Sequence, residues 1–413
     1  MKQLPSRLTI GGFLLALLLW LQPLALSVSP LLGRNVAYWW CAAGLLLLAG
    51  VGGSYRAGRI DWQALCKQDV RSPVIFAFLL YGAALWLTSR ANMGFHYDHV
   101  RQYIALACPL ILPFAASQRS HTDWWWLGCA LGAVVMATIS SYEVFMLGEP
   151  RARGYHFWVS WGALGLTMGI LPLSAQPPGW QHGWRKGILY LAAAAGVATA
   201  ILSGSRLTWL AAGAILAWRL GRRSRRAALL ASVGALCALL LSSAVPAIAA
   251  RWQMFGQDLH QYATGDADTS TGLRLVMWRE ALGAWQQHPW LGVGTEGFHA
   301  WLVGAARLGR GPATLQEHGH AHSEILNALA SGGILGLVAT ALVFLLPWWA
   351  FSRFESNSPD APTATAARAG KTLILAFALI GLGDTLLVHF FLLSWYTAVV
   401  MLMLGWCRMR ADS

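Results

Sequence analysis

Long apolar runs separated by short polar and basic stretches set the pattern of this chain. A hydrocarbon core of about 30 Å takes about 20 helical residues. Runs of that character cover roughly 8–29, 36–54, 73–89, 100–117, 124–147, 156–175, 187–203, 207–219, 227–248, 333–352, 371–387 and 389–407. The pattern predicts an all-α polytopic membrane protein with about twelve transmembrane helices. Only Ser203-Gly204-Ser205-Arg206 divides the seventh run from the eighth, and the last two divide near His389. Glu355 to Ala367 reads as a linker. The one long polar segment, Ala249 to Ala321, gives the expected organisation: helices 1–9 over 1–248, a helical loop domain over 249–321, and helices 10–12 over 322–413. Lys2 and Arg7 ahead of an apolar run resemble the start of a signal peptide, but the run continues to about Ser29 and further spans follow. It reads as an uncleaved first helix.

Composition agrees. Of 413 residues, 56% are hydrophobic and 11% are charged, where a soluble domain carries about 25% charged residues. One soluble core cannot hide that much hydrocarbon, which disfavours a soluble enzyme, a disordered chain or a coiled coil. The net charge of +13 does not point to nucleic acid, because the basic residues lie between apolar runs instead of on one face. They act as topology signals. With the N-terminus inside, nineteen of the 30 basic residues, including all four lysines, fall in inner loops, and eleven arginines fall outside. Both termini are therefore expected in the cytoplasm and Ala249–Ala321 outside. The six cysteines suggest neither a disulfide framework nor a metal site. Tryptophan clusters at Trp39-Trp40, Trp124 to Trp126 and Trp348-Trp349 read as interfacial belts, while Trp278, Trp285 and Trp290 have the option of stacking on sugar rings.

Candidate chemistry lies on the outer side. An all-arginine outer set suits bidentate recognition of phosphate, although codon usage or simple solvation explains such a set equally well. Gly272 to Gln287 reads as a helix with Leu275, Trp278, Leu282 and Trp285 on one stripe, capped by Ser270 or Thr271 and stopped by Pro289. It places Arg274 in the first turn, where a cation is unfavourable unless an anion joins it. Arg206 follows Ser205 at the outward N-terminus of the eighth span, an anion-binding arrangement. The alternative for Arg206 is snorkelling to lipid headgroups. His318, His320 and His322 alternate in Glu317-His318-Gly319-His320-Ala321-His322-Ser323-Glu324. On a helix His318 and His322 would share a face fit for a metal, but Gly319 weakens helix there and no HExxH is present. A histidine at the water interface suits a general base for a hydroxyl nucleophile.

Ser205-Arg206 opening a span, Arg274 followed by Trp278, His288-Pro289-Trp290-Leu291-Gly292-Val293-Gly294, and His322-Ser323-Glu324-Ile325-Leu326 together resemble the bacterial O-antigen ligase and polymerase superfamily. Arg151-Ala152-Arg153-Gly154 resembles an upstream element of that family, without the asparagine often found after it. The resemblance implies a periplasmic-facing enzyme of the Gram-negative inner membrane. It would move O-antigen from undecaprenyl pyrophosphate to a sugar hydroxyl of lipid A-core, without metal or cofactor and with inversion at the anomeric carbon. His322 would be the base, and Arg206 and Arg274 would stabilise the pyrophosphate. Arg279, Arg151, Arg153, His320 and His318 would contact substrate. The partners implied are the lipid-linked glycan, lipid A-core and membrane lipids.

Two other readings stay open. A polymerase or protein O-oligosaccharyltransferase shares the donor chemistry. A transporter would use ionisable residues inside the last two spans, of which Asp384 and His389 are the chief candidates.

Overall fold

The computed structural model describes residues 72–92, 102, 106, 122–221, 224, 226, 229, 246–357 and 361–408, and among these every regular element is helical. The runs at 8–29 and 36–54, and nearly all of 100–117 and 227–248, lie outside the described residues. Eleven α-helices are seen: α1 (Pro73–Asn92), α2 (Thr122–Ser141), α3 (Trp158–Ala175), α4 (Gly183–Leu202), α5 (Arg206–Gly221), α6 (Pro246–Ala263), α7 (Ser270–Gln287), α8 (Thr295–Arg307), α9 (Glu324–Asn357), α10 (Ala361–Gly381) and α11 (Phe390–Arg408). A π-helical turn, Tyr142–Met146, extends α2, and a 3₁₀ turn, Ala313–Glu317, follows α8. Among the described residues, six helices are long and apolar enough to cross a membrane: α2 with its π turn, α3, α4, α9, α10 and α11. The protein is a multi-pass, all-α membrane protein.

Small residues set the packing. With little hydrophobic drive between helices in lipid, close approach of backbones supplies much of the attraction. A Cβ at Gly169 would come within 2.4 Å of the Ala192 carbonyl, and one at Gly196 within 2.7 Å of the Gly165 carbonyl. These glycines bring α3 and α4 together along their length. Helices α10 and α11 pack against each other, with Phe377, Trp395 and Tyr396 fully buried. A second, smaller core joins Val276, Met277 and Ala281 of α7 to Phe298 and Leu302 of α8, with Ala321 and Ala330 beside them.

Several sequence expectations are corrected. The stretch Glu355–Ala367 is mostly helix, because α9 runs to Asn357 and α10 starts at Ala361. Its small residues, Thr363 to Ala367, are buried, so a composition that looks like a linker is a tightly packed helix face. The eleventh span stops at Gly381, and residues 382–389 form a loop before α11. Trp125 and Trp126 are not interfacial: they pack in the core with Trp395 and Trp406, and only Trp124 of that cluster is exposed. The N-cap of α7 is Thr269, whose hydroxyl accepts from the Gly272 amide at 3.0 Å, so Arg274 falls in the second turn. The buried face of α7 is Gly272, Val276, Met277, Glu280, Ala281 and Ala284, and the large stripe of Leu275, Trp278, Leu282 and Trp285 is only partly covered.

The tenth span is broken. At Gly333 the backbone adopts φ 59°, ψ −153°, a region open essentially to glycine alone. The turn after α7 fills the break: Val293 N donates to Ala330 O (2.9 Å), Gly294 N to Ser331 O (2.9 Å), Ile334 N to Pro289 O (2.8 Å) and Leu335 N to Trp290 O (3.2 Å). Backbone groups freed by the kink are thus satisfied by the His288–Gly294 segment. This clip fixes α7, which carries Arg274, to the helix that His322 precedes.

Candidate active site

His322 stands just before α9 with φ +47°, a left-handed conformation that is uncommon for a residue with a Cβ. The turn is held from both sides. Asn327 Oδ1 accepts from the Ala321 amide at 3.2 Å, and His299 Nδ1 donates to the His318 carbonyl at 2.9 Å. The three histidines therefore lie on an irregular turn and not on a helix. His322 Nδ1 donates to Asp384 Oδ1 at 3.1 Å, and Asp384 Oδ1 also accepts from the Thr385 amide at 2.8 Å. A carboxylate on Nδ1 sets the tautomer that leaves Nε2 as the basic nitrogen.

Other imidazoles surround this pair. The His320 ring centre is 4.3 Å from that of His322 and 5.6 Å from that of His389, while His318 lies 5.7 Å from His322. Burial first, then the charge of His322 and His389, push the His320 pKa down to about 3. Burial and the neighbouring His322 charge lower His318 as well. Burial also lowers His389, against the pull of Asp384. Burial opposes the charge of Asp384, but the hydrogen bond from His322 and the charges of His322 and Arg274 together hold its carboxyl below the usual range.

Arg206 and Arg274 come together here. Their guanidinium charges act on each other, and Arg274 also acts on His318 and Asp384. Arg206 is the first residue of α5, with its Cζ 5.0 Å from the Phe255 ring centre, and Asp258 of α6 partly balances its charge. Asp258 also accepts from the Thr271 amide (3.1 Å) and hydroxyl (2.8 Å), joining α6 to the start of α7.

The remaining residues divide. Arg279 is turned away: five helical positions from Arg274 it lies on another face, paired with Glu280 at 3.1 Å and donating to the Arg310 carbonyl. Glu280 also pairs with Arg310 at 3.3 Å and accepts from Trp301 Nε1 at 3.1 Å, which makes this a cross-link between α7 and α8. The Arg151–Gly154 segment leads into Phe157, whose ring centre lies 5.6 Å from that of His389. Glu143 Oε2 accepts from the Arg153 and Gly154 amides, both at 2.9 Å, and the Ala152 amide donates to Leu202 O at the end of α4, at 2.8 Å. Arg151 rests over Trp158 at 4.9 Å, and Phe157 and His156 pack on His389 and Phe391. Among the candidate stacking tryptophans, Trp290 is 71% exposed.

Sequence reasoning placed Asp384 and His389 inside spans and did not bring them beside His322 and His320. The signal available was the Gly381-Leu382-Gly383-Asp384 break, which ends α10 and puts the carboxylate in a loop. Among the described residues, His320, His322 and Asp384 each offer one donor atom within 4.8 Å of the others, a set able to hold a metal ion. The charge of Arg274 already acts on the same carboxylate and opposes a second cation.

Part of the chain is similar to known proteins. The model of the family described as O-antigen ligase matches residues 191–341, a stretch holding Arg206, Arg274 and His322. An O-antigen ligase of Pseudomonas aeruginosa is 27% identical over 307 residues, covering 70% of this chain and 67% of that protein.

Proposed function

We propose, from the match to the O-antigen ligase family over residues 191–341 and the similarity to a curated O-antigen ligase, that the chain is a member of that family and transfers O-antigen from undecaprenyl pyrophosphate to a sugar hydroxyl of lipid A-core on the periplasmic side of the inner membrane. The observation that carries the reading is the convergence of a carboxylate-held histidine, His322 with Asp384, and two mutually acting arginines, Arg206 and Arg274, at the ends of helices from separate parts of the chain. An acceptor hydroxyl gives its proton to His322 Nε2 as its oxygen bonds to the anomeric carbon. The bond from that carbon to the pyrophosphate oxygen breaks in the same step. Configuration inverts, and undecaprenyl pyrophosphate leaves with the electron pair. Asp384 stabilises the imidazolium, and the arginines stabilise charge developing on the leaving group. Because a pyrophosphate is already a weakly basic leaving group, no general acid is required. Arg151 and Arg153 are proposed as contacts for the polar part of a substrate, with His318 and His320 beside the base. Arg279 is withdrawn from the substrate set, since Glu280 and the Arg310 carbonyl occupy it.

The test is the lipopolysaccharide profile of a host lacking its own ligase. Expression of this chain should restore long-chain bands on lipid A-core, and His322→Ala should abolish them, since general-base catalysis contributes about 10²–10⁴-fold. Polymer confined to the lipid carrier would favour the polymerase instead. Purified enzyme washed with EDTA should keep its rate; loss restored by a divalent metal would transfer the role of His320, His322 and Asp384 to metal binding.

A further inference from the structure

Glu324 is buried at the start of α9, two residues after His322, and its carboxylate reaches across to the loop that joins α10 to α11. Its Oε2 accepts from two successive backbone amides, Leu386 N at 2.8 Å and Leu387 N at 3.1 Å. Asp384 lies two residues before Leu386 on the same loop. The loop is otherwise a run of turns whose first residues are anchored by Leu382 N to Leu379 O and Gly383 N to Ile380 O, and it packs closely on the start of α5: a Cβ at Gly383 would meet Leu207 Cδ1 at 2.9 Å. Gly381 lets α10 approach the Glu324 side chain, since a Cβ there would already stand 3.3 Å from Glu324 Cβ. One carboxylate thus ties the loop bearing Asp384 to the helix that begins beside His322.

We propose that Glu324 is a positioning residue for the transfer reaction: by accepting the Leu386 and Leu387 amides it holds Asp384 within hydrogen-bond reach of His322 Nδ1, and so keeps the base in its working tautomer. The inference rests on the ligase reading above. Glu324 acts through hydrogen-bond acceptance, so its charge is dispensable. A glutamine carbonyl oxygen has the lone pairs to serve both amides. Its amide group finds room in a cavity of about 30 Å³ lined by Glu324 together with Thr88, Gln102, Asn327 and Ser331, a volume that holds about two waters. Aspartate is one methylene short of the loop.

The experiment uses the full chain in detergent and reads both hydrogen exchange and transfer. Glu324→Gln should retain turnover within about threefold of the parent, whereas Glu324→Ala and Glu324→Asp should lose about tenfold or more in kcat with little change in the KM for donor. Exchange of the amides at 386 and 387 should speed by about tenfold in the alanine and aspartate variants, stay near the parental rate in the glutamine variant, and be unchanged in α3 and α11 in all of them. Adding Glu324→Ala to Asp384→Ala should cost less than about twofold more, because the two act in series. If the alanine variant fails to accumulate, the Gln and Asp variants carry the comparison. The proposal is overturned by glutamine as slow as alanine or aspartate, by unaltered exchange at 386 and 387, or by the full cost persisting without Asp384. Should the parent transfer no glycan to lipid A-core, the ligase reading fails while the exchange comparison still decides whether Glu324 holds the loop.

Discussion

His322 keeps a left-handed backbone at a cost of order 1–3 kcal/mol, which the Asn327 bond to Ala321 and the Asp384 contact offset. The neighbouring imidazoles are kept neutral by burial, and the pH dependence of stability follows. His320, His318 and His389 all have folded pKa values below the ordinary histidine value. Between those values and about 6.5 the unfolded chain binds more protons than the folded one, so stability falls as pH drops through that window. Asp384, also depressed, contributes stability that is full above about 3.9 and lost on further acidification. The two effects share a sign. Melting temperature should therefore fall from pH 7 to pH 4, and His320→Asn should flatten the dependence; an unchanged slope in that variant would refute the assignment. For Arg206 and Arg274, lysine keeps the charge but loses the fork that grips two oxygens, and a leaving-group contact matters most in the transition state. Both lysine variants should show depressed kcat at saturating donor, by about tenfold or more. Near-parental turnover in both would remove the bidentate clamp.

At the scale of elements, the broken helix α9 is the mechanical centre of the site. The His288–Gly294 turn is read in sequence as a motif; in the structure it is a plug whose backbone completes the hydrogen bonding of a kinked membrane helix. Gly333→Ala would place a Cβ within 2.4 Å of the Trp290 carbonyl carbon, in a backbone region closed to alanine. We expect it to destabilise by about 1–3 kcal/mol or more and to lower turnover by shifting α7, and with it Arg274, relative to His322. A parental melting curve together with parental transfer would show that the clip is dispensable. The linker-like and interfacial expectations failed at this scale for one reason: hydropathy reports how apolar a residue is, and says nothing about whether it meets lipid or another helix.

For the whole molecule, the decisive property is sidedness. The reading needs Arg206, Arg274 and His322 on one face of the membrane, and the distribution of lysine and arginine predicts which face. A reporter active only in the periplasm should give signal when fused near Gly265 or Gly311 and none near Arg223 or Pro362. Strong signal at Arg223 would invert the topology and detach the site from a periplasmic donor.

Much of this was written in the chain. Hydrocarbon length determined the helical class and the positions of α2, α3 and α4, because lipid leaves the backbone no option but internal hydrogen bonding. Local chemistry singled out Arg206, Arg274 and the run of three histidines, since a helix N-terminus and an isolated polar run are visible within a few residues, and the family resemblance chose His322 among the three. Tertiary structure alone decided their partners. Asp384 lies 62 residues from His322, and neither periodicity nor spacing specifies which loop meets which helix. The same distance hid the roles of Glu324 and Gly333, whose functions consist of contacts with segments remote in sequence. Arg279, expected among the substrate contacts, is paired instead with Glu280 and the Arg310 carbonyl, because five residues along a helix from Arg274 turn a side chain to another face. Residue type was a local property of this protein, while the pairing of residues belonged to its packing.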